Sequence, residues 1–191
     1  METFLQSLLS RMLPEPSTFR IHSFRGKKDL LRKLQDRLRG YANWIPDNYR
    51  VVVVVDRDND NCRELKQKLN ATAYRSGLVI RSPADHRPWQ VLNRIAIEEL
   101  EAWYFGDWPA VCQAYPRVSP NIPARARYRA PDAIRGGTWE AFERIMQKHG
   151  YFTEGLGKVA AAGAIATYFN PECNRSPSFA AFRDALSEAT A

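Results

Sequence analysis

The chain reads Arg50-Val51-Val52-Val53-Val54-Val55-Asp56-Arg57-Asp58-Asn59-Asp60 in its first third, and the fold class follows from this run. Its five consecutive valines are β-branched and apolar, so they favour a strand with two hydrophobic faces. A strand apolar on both faces is typical of the interior of a parallel sheet that is covered by helices on each side. We therefore expect residues 50–55 to form a central parallel strand.

Strands and helices alternate around this run. Apolar or alternating residues predict further strands at residues 18–24, 78–81 and 91–97, which would complete a mostly parallel sheet. Apolar residues at helical spacing predict helices at residues 3–13 and 28–41, one opened by Asp60 or Asn61 and reaching residue 72, and one at residues 99–104. This alternation indicates an α/β fold.

The second half of the chain is helical in pattern. Prolines break residues 107–135 into short helices and loops, and longer helices are predicted at residues 138–149, 157–169 and 178–189. We expect one domain over residues 1–191, with an α/β core in residues 1–105 and a helical extension in residues 106–191 packed on it.

Composition narrows the class of protein. No apolar run approaches the roughly 18 residues that a membrane span needs, and the first residues lack the pattern of a secretory signal, so we expect a soluble, cytoplasmic protein. Cys62, Cys112 and Cys173 are too far apart for a metal knuckle and are expected to be reduced thiols. The net charge of +7 favours a polyanionic partner such as nucleic acid.

Three aspartates follow the valine run, namely Asp56, Asp58 and Asp60. Ligands of open α/β sheets bind beyond the carboxyl ends of the strands, which is where these side chains are expected. Two aspartates in the pattern Asp-x-Asp can bind one Mg²⁺ ion, which prefers one or two protein carboxylates together with water and phosphate oxygens. The pattern predicts a Mg²⁺ or Mn²⁺ site suited to phosphate-ester chemistry.

An EF-hand does not account for these aspartates, because Asn61 and Gln67 stand where its calcium loop needs glycine and glutamate. The alternative to a metal site is that one aspartate caps the next helix and the others are solvated.

Glu98, Glu99 and Glu101 form a second acidic group, directly after the strand predicted at residues 91–97. If the two strands lie parallel in one sheet, these carboxylates can meet the aspartates. We expect Glu98, Glu99 or Glu101 to supply a third ligand or a carboxylate beside the ligands. The alternative is an exposed first turn favoured by the helix dipole.

Basic residues are expected to contact phosphate. Arg25, Lys27, Lys28 and Arg32 surround the start of a helix that follows a predicted strand. Lys158 begins another helix, although its surroundings lack the glycine and the serine or threonine of a P-loop. For all five residues the alternative is a solvated helix face.

The sequence resembles an uncharacterised bacterial family with a Toprim-like fold, whose relatives are found beside ABC-type ATPases in phage-defence contexts. The residues that carry the resemblance are Phe24-Arg25-Gly26-Lys27-Lys28-Asp29-Leu30-Leu31, Val54-Val55-Asp56-Arg57-Asp58-Asn59-Asp60, Ile97-Glu98-Glu99-Leu100-Glu101-Ala102-Trp103, Gly136-Gly137-Thr138-Trp139-Glu140 and Asn174-Arg175-Ser176.

This resemblance implies a Rossmann-like three-layer α/β sandwich with a mostly parallel central sheet and a helical C-terminal part. It also implies Mg²⁺-dependent chemistry on phosphodiesters, with Asp56 and Asp58 matching the Asp-x-Asp pair of the Toprim site. The first strand of that fold, and the glutamate that ends it, are expected to be missing here, and Glu2 is the nearest acidic residue.

Two functions from different classes follow. The first is a Mg²⁺-dependent nuclease or related phosphoryl-transfer enzyme, in which Asp56, Asp58, Glu98 and Glu101 are catalytic. The second is a non-catalytic defence subunit that binds nucleic acid or a partner ATPase through its basic face.

Overall fold

The computed structural model describes residues 1–58, 60–82, 88–97 and 99–190. The chain divides into two compact units. The sheet unit is His22–Ala96, and the helical unit combines Met1–Ile21 with Ile97–Ala191. The protein is mixed α/β, as the sequence predicted.

The described secondary structure consists of two strands, eight α-helices and three short 3₁₀ turns. The strands are β1 (Val51–Asp56) and β2 (Val91–Ala96), and the helices are α1 (Glu2–Met12), α2 (Gly26–Ala42), α3 (Cys62–Arg75), α4 (Leu100–Gly106), α5 (Trp108–Ala114), α6 (Thr138–Lys148), α7 (Lys158–Tyr168) and α8 (Pro177–Thr190). The 3₁₀ turns are Ile122–Ala124, Ala126–Tyr128 and Pro131–Ala133. No helix in the described part of the chain combines the length and apolar composition needed to cross a bilayer.

In the sheet unit, β1 and β2 pair in parallel, with Val51 opposite Val91 and Asp56 opposite Ala96. On the far side of β2, Ile80 makes a single parallel bridge to Val91. The order across the described sheet is therefore β1, β2 and the bridge at Ile80.

The apolar core of the sheet unit joins this sheet to two helices. Val53 and Val55 of β1 are buried against leucines of α2 and α3, which are Leu30, Leu34, Leu38, Leu65 and Leu69. Because α2 and α3 present these leucines at helical spacing, each helix is apolar along one side and polar elsewhere. The core thus fixes the end of β1 beside the start of α3.

The helical unit has an aromatic core. Phe4 of α1 is fully buried and packs edge-on against Phe169, with ring centroids 4.9 Å apart. Trp103 of α4 stacks on Phe182 of α8 and donates its indole N–H to Ser178 Oγ at 3.0 Å. This core groups α1 with helices from the second half of the chain.

Three strand predictions need correction. Residues 18–24 form no strand, and residues 78–81 contribute only the bridge at Ile80. Within the described residues β1 pairs with β2 alone, so the valine run lies at an edge and β2 lies between its neighbours. The physical reason is that an apolar sequence pattern predicts only which side chains are buried. A strand also requires a neighbouring strand that forms hydrogen bonds with its backbone.

The other elements follow the predictions closely. The strands expected at residues 50–55 and 91–97 are β1 and β2, and the expected helices are present within one to three residues of their predicted ends. The prediction of one domain with an internal boundary at residue 105 stays a prediction.

Candidate functional site

The acidic turn, which we define as residues 56–60, connects the carboxyl end of β1 to the start of α3. Asn61 caps α3, because its Oδ1 accepts hydrogen bonds from Arg63 N at 2.9 Å and Glu64 N at 3.3 Å. The alternative in which an aspartate of the turn caps this helix is therefore wrong. Asp58 and Asp60 are left to other contacts.

Those contacts are made by Lys27, from the first turn of α2. The Lys27 Nζ lies 2.6 Å from Asp58 Oδ2 and 2.9 Å from Asp60 Oδ2. It also donates a hydrogen bond to the carbonyl oxygen of Arg57 at 2.8 Å. Three oxygen atoms of the acidic turn thus converge on one positive charge.

Local backbone conformation produces this convergence. Asp58 has a φ of 50°, in the left-handed region that aspartate tolerates better than most residues. Gly26, which precedes Lys27, has a φ of 81° that favours glycine. The two loops therefore turn sharply where they meet, and the Lys27 side chain is only 17% exposed while those of Asp58 and Asp60 are about half exposed.

Electrostatics keeps Lys27 charged. Partial burial alone lowers the pKa of its amine, but the hydrogen bonds and charges of Asp58 and Asp60 outweigh burial and raise the pKa above its ordinary value. Lys27 is therefore positively charged at physiological pH.

A divalent metal suits the same atoms. Two carboxylates and a backbone carbonyl make an all-oxygen donor set, which hard cations such as Mg²⁺ prefer. Nowhere in the described residues do three His, Cys, Asp or Glu side chains group closely enough to hold an ion by themselves. An ion at this turn would complete its shell with carbonyl, water or phosphate oxygens, as Mg²⁺ commonly does.

Asp56 is the last residue of β1 and is partly buried opposite Ala96. It lies at the carboxyl end of the parallel pair, where the sequence predicted it. Asp56, Asp58 and Asp60 all belong to the sheet unit, together with Lys27.

The second acidic group belongs to the helical unit. Glu98 lies outside the described residues. Glu99 Oε2 accepts hydrogen bonds from Trp139 N at 3.0 Å and from Thr138 Oγ1 at 3.2 Å, so its carboxylate caps the start of α6. The expected meeting of these glutamates with Asp56 stays a prediction, since the two groups lie in different units.

Glu101 of α4 is only 5% exposed. Burial raises the pKa of its carboxyl group, the charge of Lys158 partly opposes this rise, and the charge of Glu99 adds to it. Lys158, the first residue of α7, places its Nζ 4.5 Å from the centre of the Trp139 ring. Glu99, Glu101 and Lys158 therefore influence one another within the helical unit.

The basic residues near α2 differ in their surroundings. Arg25 and Lys28 are exposed, whereas Lys27 is bound to the acidic turn. Arg32 contacts Asp29 Oδ1 at 2.6 Å, and this contact, with a second one from Lys33, holds the pKa of Asp29 well below its usual range. Arg25 and Lys28 are thus the exposed cations on either side of Lys27 in the sequence.

A polar group inside the sheet unit was missed by sequence reasoning. Lys66 of α3 donates to the carbonyl oxygen of Asn93, and Arg94 Nη1 donates to the same oxygen at 3.4 Å. Asn93 is fully buried in β2, and its Nδ2 donates to Asn70 Oδ1 at 2.9 Å. The available signal was Asn93-Arg94 in the middle of an otherwise apolar strand.

Comparison with known proteins identifies the family of this chain. The sequence model of a family described as "Domain of unknown function (DUF4276)" matches residues 1–187, so the chain belongs to that family. Membership of an uncharacterised family is therefore confirmed, while the Toprim-like fold and the ATPase context stay predictions. No curated protein sequence and no solved structure matches the chain.

Proposed function

We propose that this protein is a Mg²⁺-dependent phosphoryl-transfer enzyme that cleaves phosphodiester bonds of nucleic acid. The metal would be held at the acidic turn by Asp58, Asp60 and the carbonyl oxygen of Arg57, with Asp56 beside these ligands at the end of β1. The observation that carries this proposal is made at the end of a parallel strand. There, Asp58 Oδ2, Asp60 Oδ2 and Arg57 O converge on the positively charged Lys27 Nζ. Such a place at the carboxyl end of a strand is where ligands of α/β sheets bind.

The proposal includes a Toprim-like three-layer sandwich as the fold. Parallel pairing of β1 with β2 supports this finer assignment. The Asp-x-Asp pair directly after β1 is the feature that the sequence shares with the Toprim site.

Each charged group has a part in the proposed chemistry. A bound Mg²⁺ ion would polarise the phosphate and lower the pKa of an attacking water. The aspartates would hold the ion, and Lys28 and Arg25 would neutralise neighbouring phosphates. A role for the proposed enzyme in phage defence is part of the same proposal.

The test is a cleavage assay with single-stranded and double-stranded DNA and RNA in Mg²⁺ or Mn²⁺. We expect the wild-type protein to cleave at least one of these substrates. Asp56→Asn and Asp58→Asn should reduce cleavage to background, because each change removes a carboxylate charge from the acidic turn and preserves side-chain size.

Asp36→Asn is the matched control. Asp36 lies on the exposed side of α2, and the substitution changes the net charge equally. Cleavage by Asp56→Asn at the rate of Asp36→Asn, in preparations free of other nucleases, contradicts the proposed metal mechanism.

A non-catalytic subunit that binds nucleic acid or a partner ATPase is the second candidate. The observation that favours it is that the side chains expected to bind metal already have partners, with Asp58 and Asp60 bound to Lys27 and Glu99 bound to the start of α6. Binding of nucleic acid or of a neighbouring ATPase, without cleavage under any of these metal conditions, would favour this candidate.

A further inference from the structure

The Lys27 ammonium makes the same kind of contacts that a bound metal ion would make. It touches two carboxylates and one backbone carbonyl, at 2.6, 2.9 and 2.8 Å. These atoms come from successive parts of one turn, and the amine reaches them from a different element, α2. The position is therefore defined by the turn, and the cation in it is supplied by the chain itself.

Lys27 and a divalent ion cannot use these oxygens together. Mg²⁺ bonds its ligands at about 2.1 Å, which is shorter than any of the three contacts of Lys27, so the carboxylates must close around the ion. Two cations held by the same pair of carboxylates would also repel each other strongly at this distance. Binding of one therefore requires departure of the other.

The Lys27 side chain lies at the start of α2 and keeps 17% of its surface exposed. A lysine side chain has four flexible carbons and three donors, and it can reorient without moving the helix. Lys28 and Arg25, both exposed, lie beside it in sequence.

We propose that Lys27 is a tethered cation that occupies the metal position, so that metal binding displaces its ammonium and frees it to pair with a substrate phosphate. This inference rests on the proposed function, because it takes the acidic turn to be the metal site. According to this inference, Lys27 competes with the metal for the carboxylates before substrate binds. After substrate binds, Lys27 contacts a phosphate group.

The first experiment measures Mn²⁺ binding by calorimetry to the wild-type protein, Lys27→Met and Lys28→Met. Methionine keeps the length of the side chain and removes its charge. We expect Lys27→Met to bind Mn²⁺ about tenfold more tightly than wild type, because Lys27 contacts both carboxylates. Lys28→Met, at an exposed position, should differ from wild type by about twofold or less. Asp58→Asn added to Lys27→Met should abolish the gain.

The second experiment uses the wild-type protein and measures acetylation of each lysine by mass spectrometry with and without Mn²⁺. We expect Mn²⁺ to increase acetylation of Lys27 several-fold, since its amine leaves the carboxylates, and to leave the exposed Lys68 unchanged. Acetylation distinguishes displacement of Lys27 from a general effect of its charge on metal affinity. If the amine of Lys27 stayed on the carboxylates, Mn²⁺ would not increase its acetylation.

The outcomes distinguish the two proposals. If Mn²⁺ binds, but Lys27→Met binds no tighter than Lys28→Met and Lys27 acetylation does not rise, the tethered-cation proposal is overturned and the metal site stands. If neither wild type nor Lys27→Met binds Mn²⁺, both the metal site and this inference are overturned.

Discussion

Among single residues, Lys66 has an unusual environment. Burial, together with the nearby charges of Arg94 and Arg81, lowers the pKa of its amine to about 8, while Cys62 acts in the opposite direction. Below pH 8 the folded protein carries a charged, partly buried amine that the unfolded chain holds in water. Burying this charge costs the folded protein free energy. Between pH 8 and the ordinary lysine pKa of 10.5 this cost declines, because Lys66 loses its proton at a lower pH in the folded protein than in the unfolded chain.

We therefore predict that Lys66→Met raises the free energy of unfolding at pH 7 relative to wild type, and that the gain shrinks as the pH rises towards 10. Urea unfolding of both proteins at the two pH values measures it. Lys68→Met, on an exposed part of α3, is the control and should show a difference that does not change with pH. A gain for Lys66→Met that is independent of pH contradicts the assigned cause.

The candidate site illustrates what sequence can predict about residues. The acidic turn was predictable, because Asp56, Asp58 and Asp60 follow an unmistakable apolar strand. The contact with Lys27 was not, because it joins residues about 30 positions apart, and the approach of two loops depends on tertiary packing. The same holds for Glu99, whose role as a cap needs Trp139, which is 40 residues away.

Among the elements, α3 connects the acidic turn to the core of the sheet unit. Its first turn is closed by the two hydrogen bonds that Asn61 Oδ1 accepts. Loss of such a cap typically costs about 1 kcal/mol, because buried or partly buried N–H groups lose their partner.

Asn61→Ala should consequently lower the free energy of unfolding by about 1 kcal/mol. Asn61→Ser, which retains a capping oxygen, should lower it by much less. Chemical denaturation of the three proteins tests this difference. Equal stability of the alanine and serine variants would mean that Asn61 does not stabilise the helix as a cap.

The elements differ in how well sequence predicted them. Helices α1, α2, α3, α6, α7 and α8 were predictable, because a helix satisfies its hydrogen bonds within one segment and its apolar period is local. The prediction of a strand at residues 18–24 was wrong. The side chains there alternate as in a strand, but strand formation also depends on pairing with a partner that is distant in the sequence. For the same reason the valine run revealed a strand but not its place at the edge of the described sheet.

At the scale of the whole molecule, the two units are formed from different parts of the chain. The helical unit contains both α1 and the C-terminal helices, while the sheet unit is one continuous segment, His22–Ala96. Local sequence patterns do not reveal that Phe4 packs against Phe169, because these residues lie far apart in the chain. The acidic turn and its basic neighbours Arg25, Lys27 and Lys28 all lie within the sheet unit.

Charge over the whole molecule gives the last prediction. The chain carries 28 lysine and arginine residues against 21 aspartate and glutamate residues, so nucleic acid should be attracted to it even without specific contacts. Such binding weakens as salt rises, because each phosphate that a protein cation neutralises releases a counterion. Only the cations that contact phosphate affect the steepness of this dependence. Lys28, exposed beside the proposed site, is expected to be one of them.

We predict that Lys28→Glu weakens nucleic-acid binding and reduces the slope of log K against log salt concentration by about 1, the value expected for one lost phosphate contact. Lys68→Glu makes an identical change in net charge on an exposed part of α3 and should leave the slope unchanged. Fluorescence anisotropy of a labelled oligonucleotide over a series of KCl concentrations measures both slopes. Equal slopes for the two variants would mean that net charge alone drives binding, and the assignment of Lys28 to a phosphate contact would then be wrong.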